Sequence, residues 1–193
     1  MFEHLDDVRT DCTNRLIRAA RDRKSPLHTP VIVTGDVDAR VMVLRAFDAQ
    51  LWTLRLHTDA RSPKALVIAA DPRAALLFYD KGAKIQIRVR GTGQILTDGP
   101  EVDAAWRAST NFARRCYLGE GPGTVAEEPS SGLPPEFEGV EPDDLQLVPA
   151  RHNFALLRIT IMAVDWLYLS HTGHVRAQFE RKDDGWQGRW VTP

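Results

Sequence analysis

The segment 57–64, HTDARSPK, contains residue types that bind a phosphate group. Ser62 falls at the expected N-cap of a helix that begins with proline, where backbone N–H groups are unpaired and the helix dipole is positive. Arg61 and Lys64 flank this helix start, and two cations there are unfavourable unless an anion lies beside them. A phosphate held by the Thr58 and Ser62 hydroxyls and by the two cations would supply that anion. A solvated basic turn is the alternative.

The segment 84–90, KIQIRVR, alternates strictly between apolar and polar residues. In a strand, this alternation places the isoleucines and the valine on the core side and Gln86, Arg88 and Arg90 on the opposite face. A row of one glutamine and two arginines without an acidic partner in the same strand suits an anionic or carbonyl-rich ligand. The alternative is a polar row that faces solvent.

Two further segments place cations or aromatic residues next to apolar strands. In RVMVLR, Arg40 and Arg45 are predicted to point to opposite faces of one strand, so one of them needs a ligand or a subunit interface as its partner. The segment 166–176, WLYLSHTGHVR, groups a tryptophan, two histidines and an arginine around a glycine turn. The two histidines lack a third ligand, so no metal site is predicted. No nucleophile motif is present, so hydrolysis is not predicted.

Composition restricts the class of protein. The chain has 193 residues, of which 43% are hydrophobic and 26% charged, as in soluble globular proteins. The 25 Lys and Arg residues balance 26 Asp and Glu residues, which excludes a strongly basic nucleic-acid-binding protein. The two cysteines have no metal-binding or disulfide-scaffold spacing. Because no signal peptide or membrane span is recognisable, we expect one cytoplasmic domain over 1–193 that binds neither nucleic acid nor membranes.

The elements that must position these residues are mostly strands. Amphipathic helices are predicted over about 2–23, 63–70 and 100–116, and a Gly/Pro-rich acidic loop over 119–142. The strand-like segments occur in runs and do not alternate with helices, which favours a mainly β fold, an antiparallel barrel of six to eight strands with flanking helices. The predicted strands are 31–37, 40–47, 51–58, 74–80, 84–97, 154–169, 175–181 and 185–191.

Taken in order, these segments resemble the pyridoxamine 5′-phosphate oxidase family of FMN-binding split barrels over nearly the whole chain. In that family, a strand like RxVLLR or RxVLLK precedes a TxxxSRK turn, an RQVR strand and a closing W…HxR…W…P block. The resemblance implies an antiparallel split barrel of Greek-key type. The matching segments here are RVMVLR at 40–45, TDARSPK at 58–64, IQIR at 85–88 and a C-terminal block with Trp166, His174, Arg176 and Trp186.

The resemblance also implies FMN as cofactor and assigns roles to individual residues. The TDARSPK turn would hold the phosphate together with Arg40, and Gln86 would hydrogen-bond the polar edge of the ring. Because the family forms homodimers with the flavin at the subunit interface, Trp166 and Arg176 would reach the flavin from the partner subunit. The implied cofactor-binding residues are Arg40, Val41, Met42, Val43, His57, Thr58, Ser62, Lys64, Gln86, Trp166 and Arg176.

The sequence departs from the family where the vitamin-processing enzymes bind the phosphate of their substrate. Two arginines of that clamp correspond to Ser109 and Thr172, and a lysine corresponds to Arg45. Pro63 replaces an arginine of the turn, and 121–123 (GPG) replaces a Gln-Ser pair. These departures predict a related flavoprotein rather than the vitamin B6 enzyme itself.

The predicted function is therefore that of an FMN-dependent oxidoreductase acting on an unidentified small molecule. His174, Arg176 and Arg45 are the residues expected to position the substrate or take part in catalysis. Three alternatives remain at this stage: a flavin-binding carrier or sensor without turnover, a barrel that has lost its cofactor, and a barrel that uses deazaflavin or haem.

Overall fold

A computed structural model describes residues 2–193 and contains nine β-strands and four α-helices. None of the helices in this range has the length and apolar character of a transmembrane span. Short 3-10 helices occur at Arg115–Tyr117, Pro135–Phe137 and Val148–Asn153. The α-helices are α1 (Leu5–Arg21), α2 (Pro63–Ala70), α3 (Pro100–Ala108) and α4 (Asn111–Arg114). The strands are β1 (Val31–Thr34), β2 (Ala39–Val41), β3 (Leu44–Asp48), β4 (Thr53–Asp59), β5 (Arg73–Asp80), β6 (Ile85–Leu96), β7 (Phe154–Tyr168), β8 (Val175–Lys182) and β9 (Gly185–Val191).

The nine strands belong to one sheet. The strand order is β2-β1-β5-β6-β7-β4-β3, with β8 paired to β7 and β9 paired to β8. The pairs β1–β2, β1–β5, β3–β4, β5–β6, β7–β8 and β8–β9 are all antiparallel. The predicted fold class, mainly antiparallel β with flanking helices, is confirmed.

The predicted strand RVMVLRAF is interrupted, and this division produces nine strands where at most eight were expected. β2 ends before Met42 and β3 begins at Leu44, because the backbone N–H groups of these two residues donate to carbonyls in the segment 28–30. Arg40 and Arg45 therefore lie in different strands. The prediction that a single strand points them to opposite faces is wrong.

The predicted helix 100–116 is also divided. α3 ends at Ala108, Ser109 has extended backbone, and the Thr110 side chain accepts a hydrogen bond from the Ala113 N–H as the N-cap of α4. Serine and threonine compete with helical hydrogen bonding and favour caps, which explains the break at this pair. The following loop, 119–142, contains a single 3-10 turn as its regular structure, in agreement with the prediction.

The described residues form two compact units. The first comprises residues up to Leu56 together with 71–93 and 158–193, and the second comprises 57–70 and 94–157. Each unit has its own buried apolar side chains. In the first unit, α1 packs against β3 and the largest buried residues include Leu16, Ile32, Leu44, Phe78, Ile87 and Trp166. The core of the second unit contains Val102, Ala105, Phe154 and Leu156, with Leu96, Trp106 and Tyr117 against them.

The buried face of α1 corresponds closely to the predicted apolar stripe. Val8, Cys12 and Leu16 are buried as expected from their spacing. Ala19 completes the buried face in place of the predicted Ala20. The helix runs over 5–21, shorter at both ends than the predicted 2–23, because the chain is extended at His4 and again at the C-cap after Arg21.

Candidate functional site

The predicted phosphate-binding turn precedes α2 and lies in the second unit. Ser62 is fully buried, and its Oγ donates to the Asp59 carbonyl at 2.7 Å and lies 3.4 Å from Thr58 Oγ1. α2 begins at Pro63 as predicted, and the Ala65 N–H donates to the Ser62 carbonyl at 2.9 Å. The structure thus brings the Thr58 and Ser62 hydroxyls together, with the Ser62 hydroxyl bonded to the backbone.

Asp59 supplies an anion at this turn that the sequence argument did not consider. The Arg61 guanidinium donates to both carboxylate oxygens, with Nε–Oδ1 at 3.0 Å and Nη2–Oδ2 at 2.7 Å. These hydrogen bonds raise the pKa of Arg61 above its ordinary value. Arg61 therefore has a carboxylate partner within the turn, and its predicted contact with a phosphate stays a prediction.

The first part of the long loop packs against the same turn. Arg61 Nη1 donates to the Gly119 carbonyl at 3.0 Å. A Cβ on Gly123 would lie 3.4 Å from Pro63 Cγ, and Gly123 has φ +93°, a conformation that favours glycine. The Gly-Pro-Gly segment that stands where the family has Gln-Ser therefore contacts the start of α2 without offering a polar side chain to a ligand.

His57 lies in the second unit beside an aromatic cluster. Its ring centroid is 4.9 Å from that of Phe154 in an edge-to-face arrangement, and Phe154 also contacts Trp106 at 5.3 Å and Tyr117 at 5.1 Å. Such edge-to-face pairs add stability beyond the area they bury. The predicted contact between His57 and a flavin ring stays a prediction.

Arg40 and the residues after it belong to the first unit. Arg40 Nη1 donates to Thr34 Oγ1 at 2.9 Å, and Nη2 pairs with Asp38. Val41 is 64% exposed, whereas Met42 is buried and Val43 half-buried. Local partners in the β1–β2 hairpin thus hold the Arg40 guanidinium. Contacts of these residues with a cofactor stay a prediction.

Arg45 is the extra residue of a β-bulge in β3. The β3–β4 register pairs Leu44 with Leu56 and Ala46 with Arg55, so Arg45 has no residue opposite it. Bulges redirect a side chain and are common beside active sites. Within residues 2–193, the buried Arg45 Nε has no hydrogen-bond partner. A buried N–H left in this way costs about 1–3 kcal/mol, so Arg45 is suited to an acceptor oxygen from a ligand.

Asp165 joins three strands on the face that carries Arg88. Its carboxylate accepts hydrogen bonds from Arg88 Nη2 at 2.8 Å, from Arg176 Nε at 3.0 Å and Nη2 at 2.7 Å, and from Gln178 Nε2 at 2.8 Å. Burial alone would raise the pKa of Asp165. Hydrogen bonds from Arg176 and Gln178 and the charges of Arg88 and Arg176 outweigh burial and hold that pKa below its ordinary value.

Asp165 is also a residue that the sequence reasoning missed. The predicted alternation in β6 is confirmed, with Arg88 and Arg90 exposed on the polar face. Their acidic neighbour comes from another strand, and a search within one strand could not find it. The register of the β7–β8 hairpin is the feature that identifies this neighbour. Leu167 lies opposite Arg176, so Asp165, two residues before Leu167, is the diagonal neighbour of Arg176 on the same face of the sheet.

An open groove of about 490 Å³ lies on this face of the first unit. One side is apolar and the other carries the charged network around Asp165. The groove therefore combines a surface for a flat apolar group with donors for acceptor oxygens. Its main lining residues are Val33, Ala75, Leu77, Arg88, Asp165 and Arg176.

Trp166 lies in the core of the first unit, and its predicted contact with the flavin of a partner subunit stays a prediction. Its side chain has 0% exposure, Phe2 packs on it with ring centroids 4.5 Å apart, and its Nε1–H donates to Asp11 at 3.2 Å. His174, by contrast, is exposed in the turn before β8.

Two donor sets fit different parts of the predicted cofactor. In the second unit, the start of α2 with Lys64 in its first turn suits a phosphate, whereas the Thr58 and Ser62 hydroxyls are buried and Ser62 donates to the Asp59 carbonyl. In the first unit, the Gln86 amide and the Arg176 guanidinium suit carbonyl acceptors of a ring. Across residues 2–193, no group of three potential metal-binding side chains is found.

Comparison with known proteins identifies the family. The family model for pyridoxamine 5′-phosphate oxidase matches residues 34–132, just over half of the chain. The pyridoxine/pyridoxamine 5′-phosphate oxidase of Caulobacter vibrioides strain NA1000 is 30% identical over 168 residues, which cover 82% of this chain and 71% of the relative. The chain belongs to the pyridoxamine 5′-phosphate oxidase family.

Solved structures agree with this assignment. A pyridoxamine 5′-phosphate oxidase-related, FMN binding protein from Nostoc punctiforme superposes with a TM-score of 0.73 at 25% identity, covering 95% of this chain and 96% of that one. PhzG from Burkholderia lata, solved with tetrahydrophenazine-1-carboxylic acid, superposes with a TM-score of 0.72 at 16% identity, covering 100% and 98%. The predicted split-barrel fold class is thereby confirmed.

Proposed function

We propose that the protein binds FMN and uses it as an oxidoreductase on a small molecule. The observation that carries this proposal is the turn before α2, where the first backbone N–H groups of the helix and the ammonium of Lys64 in its first turn form a donor set. This donor set suits a terminal phosphate. Family membership supports the same cofactor, since the Nostoc relative is an FMN binding protein.

The chain's own residues would bind the cofactor and set the charge around it. Bound FMN supplies hydride transfer. Lys64 would neutralise charge on the phosphate, and Gln86 would donate to a carbonyl acceptor of the ring. Arg176 would bring a positive charge that favours the reduced, negatively charged state of the flavin. His174 and Arg45 would position the substrate.

The substrate we propose is not a vitamin B6 phosphate ester. At the two positions where the family's clamp has arginine, the Ser109 hydroxyl donates to the Ala105 carbonyl at 2.9 Å and the Thr172 hydroxyl lies 2.8 Å from Ser170 Oγ. Neither side chain is a cation, so neither can make the charge-assisted contact with a substrate phosphate that an arginine makes. Arg45, whose buried Nε has no hydrogen-bond partner among the described residues, is the cation that we propose to contact an acceptor oxygen of the substrate.

We also propose a homodimer with the flavin at the subunit interface. Val41, Val31 and Leu77 lie in one row across β2, β1 and β5, and this row continues to Arg88 on β6. Val41 and Leu77 are 64% and 38% exposed, so the row presents apolar surface beside a charged network. Such a patch supports a subunit interface with an apolar centre and a polar rim.

A flavin-binding protein without turnover is the second candidate. The observation that favours it is the pairing of Asp165 with Arg88 and Arg176, because this carboxylate offsets the positive charge that would stabilise reduced flavin. The two candidates differ in one simple property. An oxidoreductase is expected to lose its yellow colour with a hydride donor such as NADH or NADPH, whereas a carrier or sensor is not.

The visible absorption spectrum of the purified protein, recorded after FMN addition and dialysis, tests the cofactor. We expect a retained two-banded yellow spectrum. Lys64→Ala should weaken FMN binding about tenfold or more, because it removes a charge-assisted contact of about 1.5–3 kcal/mol. Lys81→Ala, which removes an exposed lysine from the β5–β6 turn, is the matched control and should bind like the wild type.

Each failure has a separate meaning. Equal FMN affinity in Lys64→Ala and Lys81→Ala would overturn the phosphate assignment at α2. A colourless protein that takes up no FMN would overturn the cofactor itself, and deazaflavin and haem titrations would then identify the alternative. Size-exclusion chromatography with light scattering checks the dimer, and a monomer that holds FMN tightly would contradict the shared site.

A further inference from the structure

We propose that Asp165 is a positioning residue for Arg176: it fixes the Arg176 guanidinium in the groove and offsets its charge, and so lowers the reduction potential of flavin bound there. The inference rests on the proposed function, because it takes Arg176 as the cation near the flavin.

The contact between the two side chains has the geometry of a fixed fork. Arg176 uses Nε and Nη2 to reach both oxygens of Asp165, at 3.0 Å and 2.7 Å. Two parallel charge-assisted hydrogen bonds define the plane of the guanidinium as well as its position. Asp165 therefore determines which donors of Arg176 remain available, namely the Nη1 side of the fork.

Gln178 holds the carboxylate from the other side. Its Nε2 donates to Asp165 at 2.8 Å, while its Oε1 accepts from Arg189 Nε at 3.3 Å and Nη2 at 3.0 Å. The amide orientation is consistent with both sets of partners. Gln178 thereby keeps the Asp165 carboxylate in place, so that the two hydrogen bonds from Arg176 have a fixed acceptor.

Charge balance gives Asp165 its second effect. The same carboxylate accepts from Arg88 and Arg176, so its negative charge offsets part of the charge of these two arginines, which line the groove together with Arg90. The Asp165 side chain is 15% exposed, and its charge is less screened than that of a surface carboxylate. Removing the charge leaves two uncompensated guanidinium groups beside the groove, which stabilises an anionic reduced flavin relative to the oxidised one.

Asp165→Asn tests the proposal, because the amide keeps the shape of the side chain and removes its charge. We expect an increase on the order of tenfold in the affinity for reduced over oxidised FMN, given one unit of charge in a partly buried setting. For a two-electron couple this equals a reduction potential ~30 mV more positive. Asp183→Asn, the same change in the exposed β8–β9 turn, is the control and should leave the potential unchanged.

Whether Asp165 acts through Arg176 is tested by introducing Asp165→Asn into the Arg176→Ala variant. If Asp165 acts by holding Arg176, its replacement there should shift the potential by less than half as much. Equal shifts in both backgrounds would mean that the carboxylate acts on the flavin directly, and this would overturn the positioning role. An unchanged potential in Asp165→Asn alone would overturn the proposal as a whole.

A further variant tests the proposal if Asp165→Asn does not fold. If circular dichroism finds Asp165→Asn unfolded, Arg176→Lys replaces it, since lysine keeps the charge and cannot form the two-bond fork. Its potential should move toward that of Arg176→Ala, and a wild-type potential would refute the role of the fork. A wild-type protein that binds no FMN overturns the proposed function and this inference together. One that binds FMN while the variants stay unshifted overturns the inference alone.

Discussion

The indole N–H of Trp166 donates a hydrogen bond of 3.2 Å to the Asp11 carboxylate. Because Asp11 lies on α1 and Trp166 in β7, this contact ties the first helix to the sheet of the first unit. Arg15, one turn further along α1, donates to the same carboxylate at 2.8 Å and to Asp80 at 3.1 Å. Phe2 covers the indole ring. The hydrogen bond from Trp166 therefore helps to hold α1 against the sheet of the first unit.

Asp11→Ala is expected to lower the free energy of unfolding by about 2 kcal/mol, since it leaves the buried indole N–H without its acceptor and removes an ion pair to Arg15. Chemical denaturation with urea measures the change. Asp6→Ala is the control, because Asp6 is 85% exposed on the same helix and pairs with Arg9. Its effect should stay within about 0.5 kcal/mol. Similar losses in both variants would contradict a specific role for the Asp11–Trp166 contact.

Gly91 marks a close approach of two strands. A Cβ at this position in β6 would lie 2.0 Å from the Thr160 carbonyl oxygen and 3.2 Å from the Ile161 Cα, both of them backbone atoms of β7. Backbone atoms of a paired strand cannot move aside as a flexible side chain can. Gly91→Ala should therefore destabilise the protein by about 3 kcal/mol, at the upper end of the usual cost of overpacking.

Thermal unfolding of Gly91→Ala and Gly82→Ala compares the two positions directly. Gly82 lies in the exposed β5–β6 turn, where a Cβ would lie 3.4 Å from the end of the Asp80 side chain. This distance is an ordinary van der Waals contact, so Gly82→Ala should change stability by less than about 0.5 kcal/mol. A Gly91→Ala protein as stable as Gly82→Ala would show that β6 and β7 can separate without cost.

Much of the fold could be predicted from the sequence, because local periodicity determines which face of an element is buried. The alternation in β6 and the stripe on α1 are examples, and both are confirmed. The errors arose where tertiary hydrogen bonds override a continuous pattern. RVMVLRAF reads as one strand, yet Met42 and Leu44 donate to the segment 28–30 and divide it. A single sequence carries no signal for that partner.

The candidate site was less predictable, because its residues meet through cross-strand pairing. Arg88 and Arg176 were recognised as cations, but the shared partner Asp165 lies on a third strand and is visible only once the register is known. Asp59 was overlooked for a different reason. It lies two residues before Arg61 and forms an ion pair with it, and the effect of the helix dipole on Arg61 gives no indication of that contact. Trp166 matched a family motif, although its surroundings make it part of the core.

The two cysteines should differ sharply in reactivity. Cys12 is buried in the stripe of α1, where burial and then the nearby Asp11 charge raise the pKa of its thiol, so that it stays protonated and shielded. Cys116 is exposed, with its Sγ donating to the Ala113 carbonyl at 3.1 Å. We expect a thiol reagent such as DTNB at pH 8 to titrate one thiol per chain in the native protein and two in denaturant.

The variant Asp11→Ala extends this prediction to the docking of α1. If the Asp11–Trp166 contact holds the helix in place, its loss should increase the rate at which Cys12 reacts, because local opening of α1 becomes more frequent. The rate at Cys116 should stay the same in both proteins and serves as the internal control. Two rapidly reacting thiols in the native wild type would mean that α1 is not docked as the structure has it. An unchanged Cys12 rate in Asp11→Ala would mean that apolar packing of the stripe, rather than the indole hydrogen bond, holds the helix.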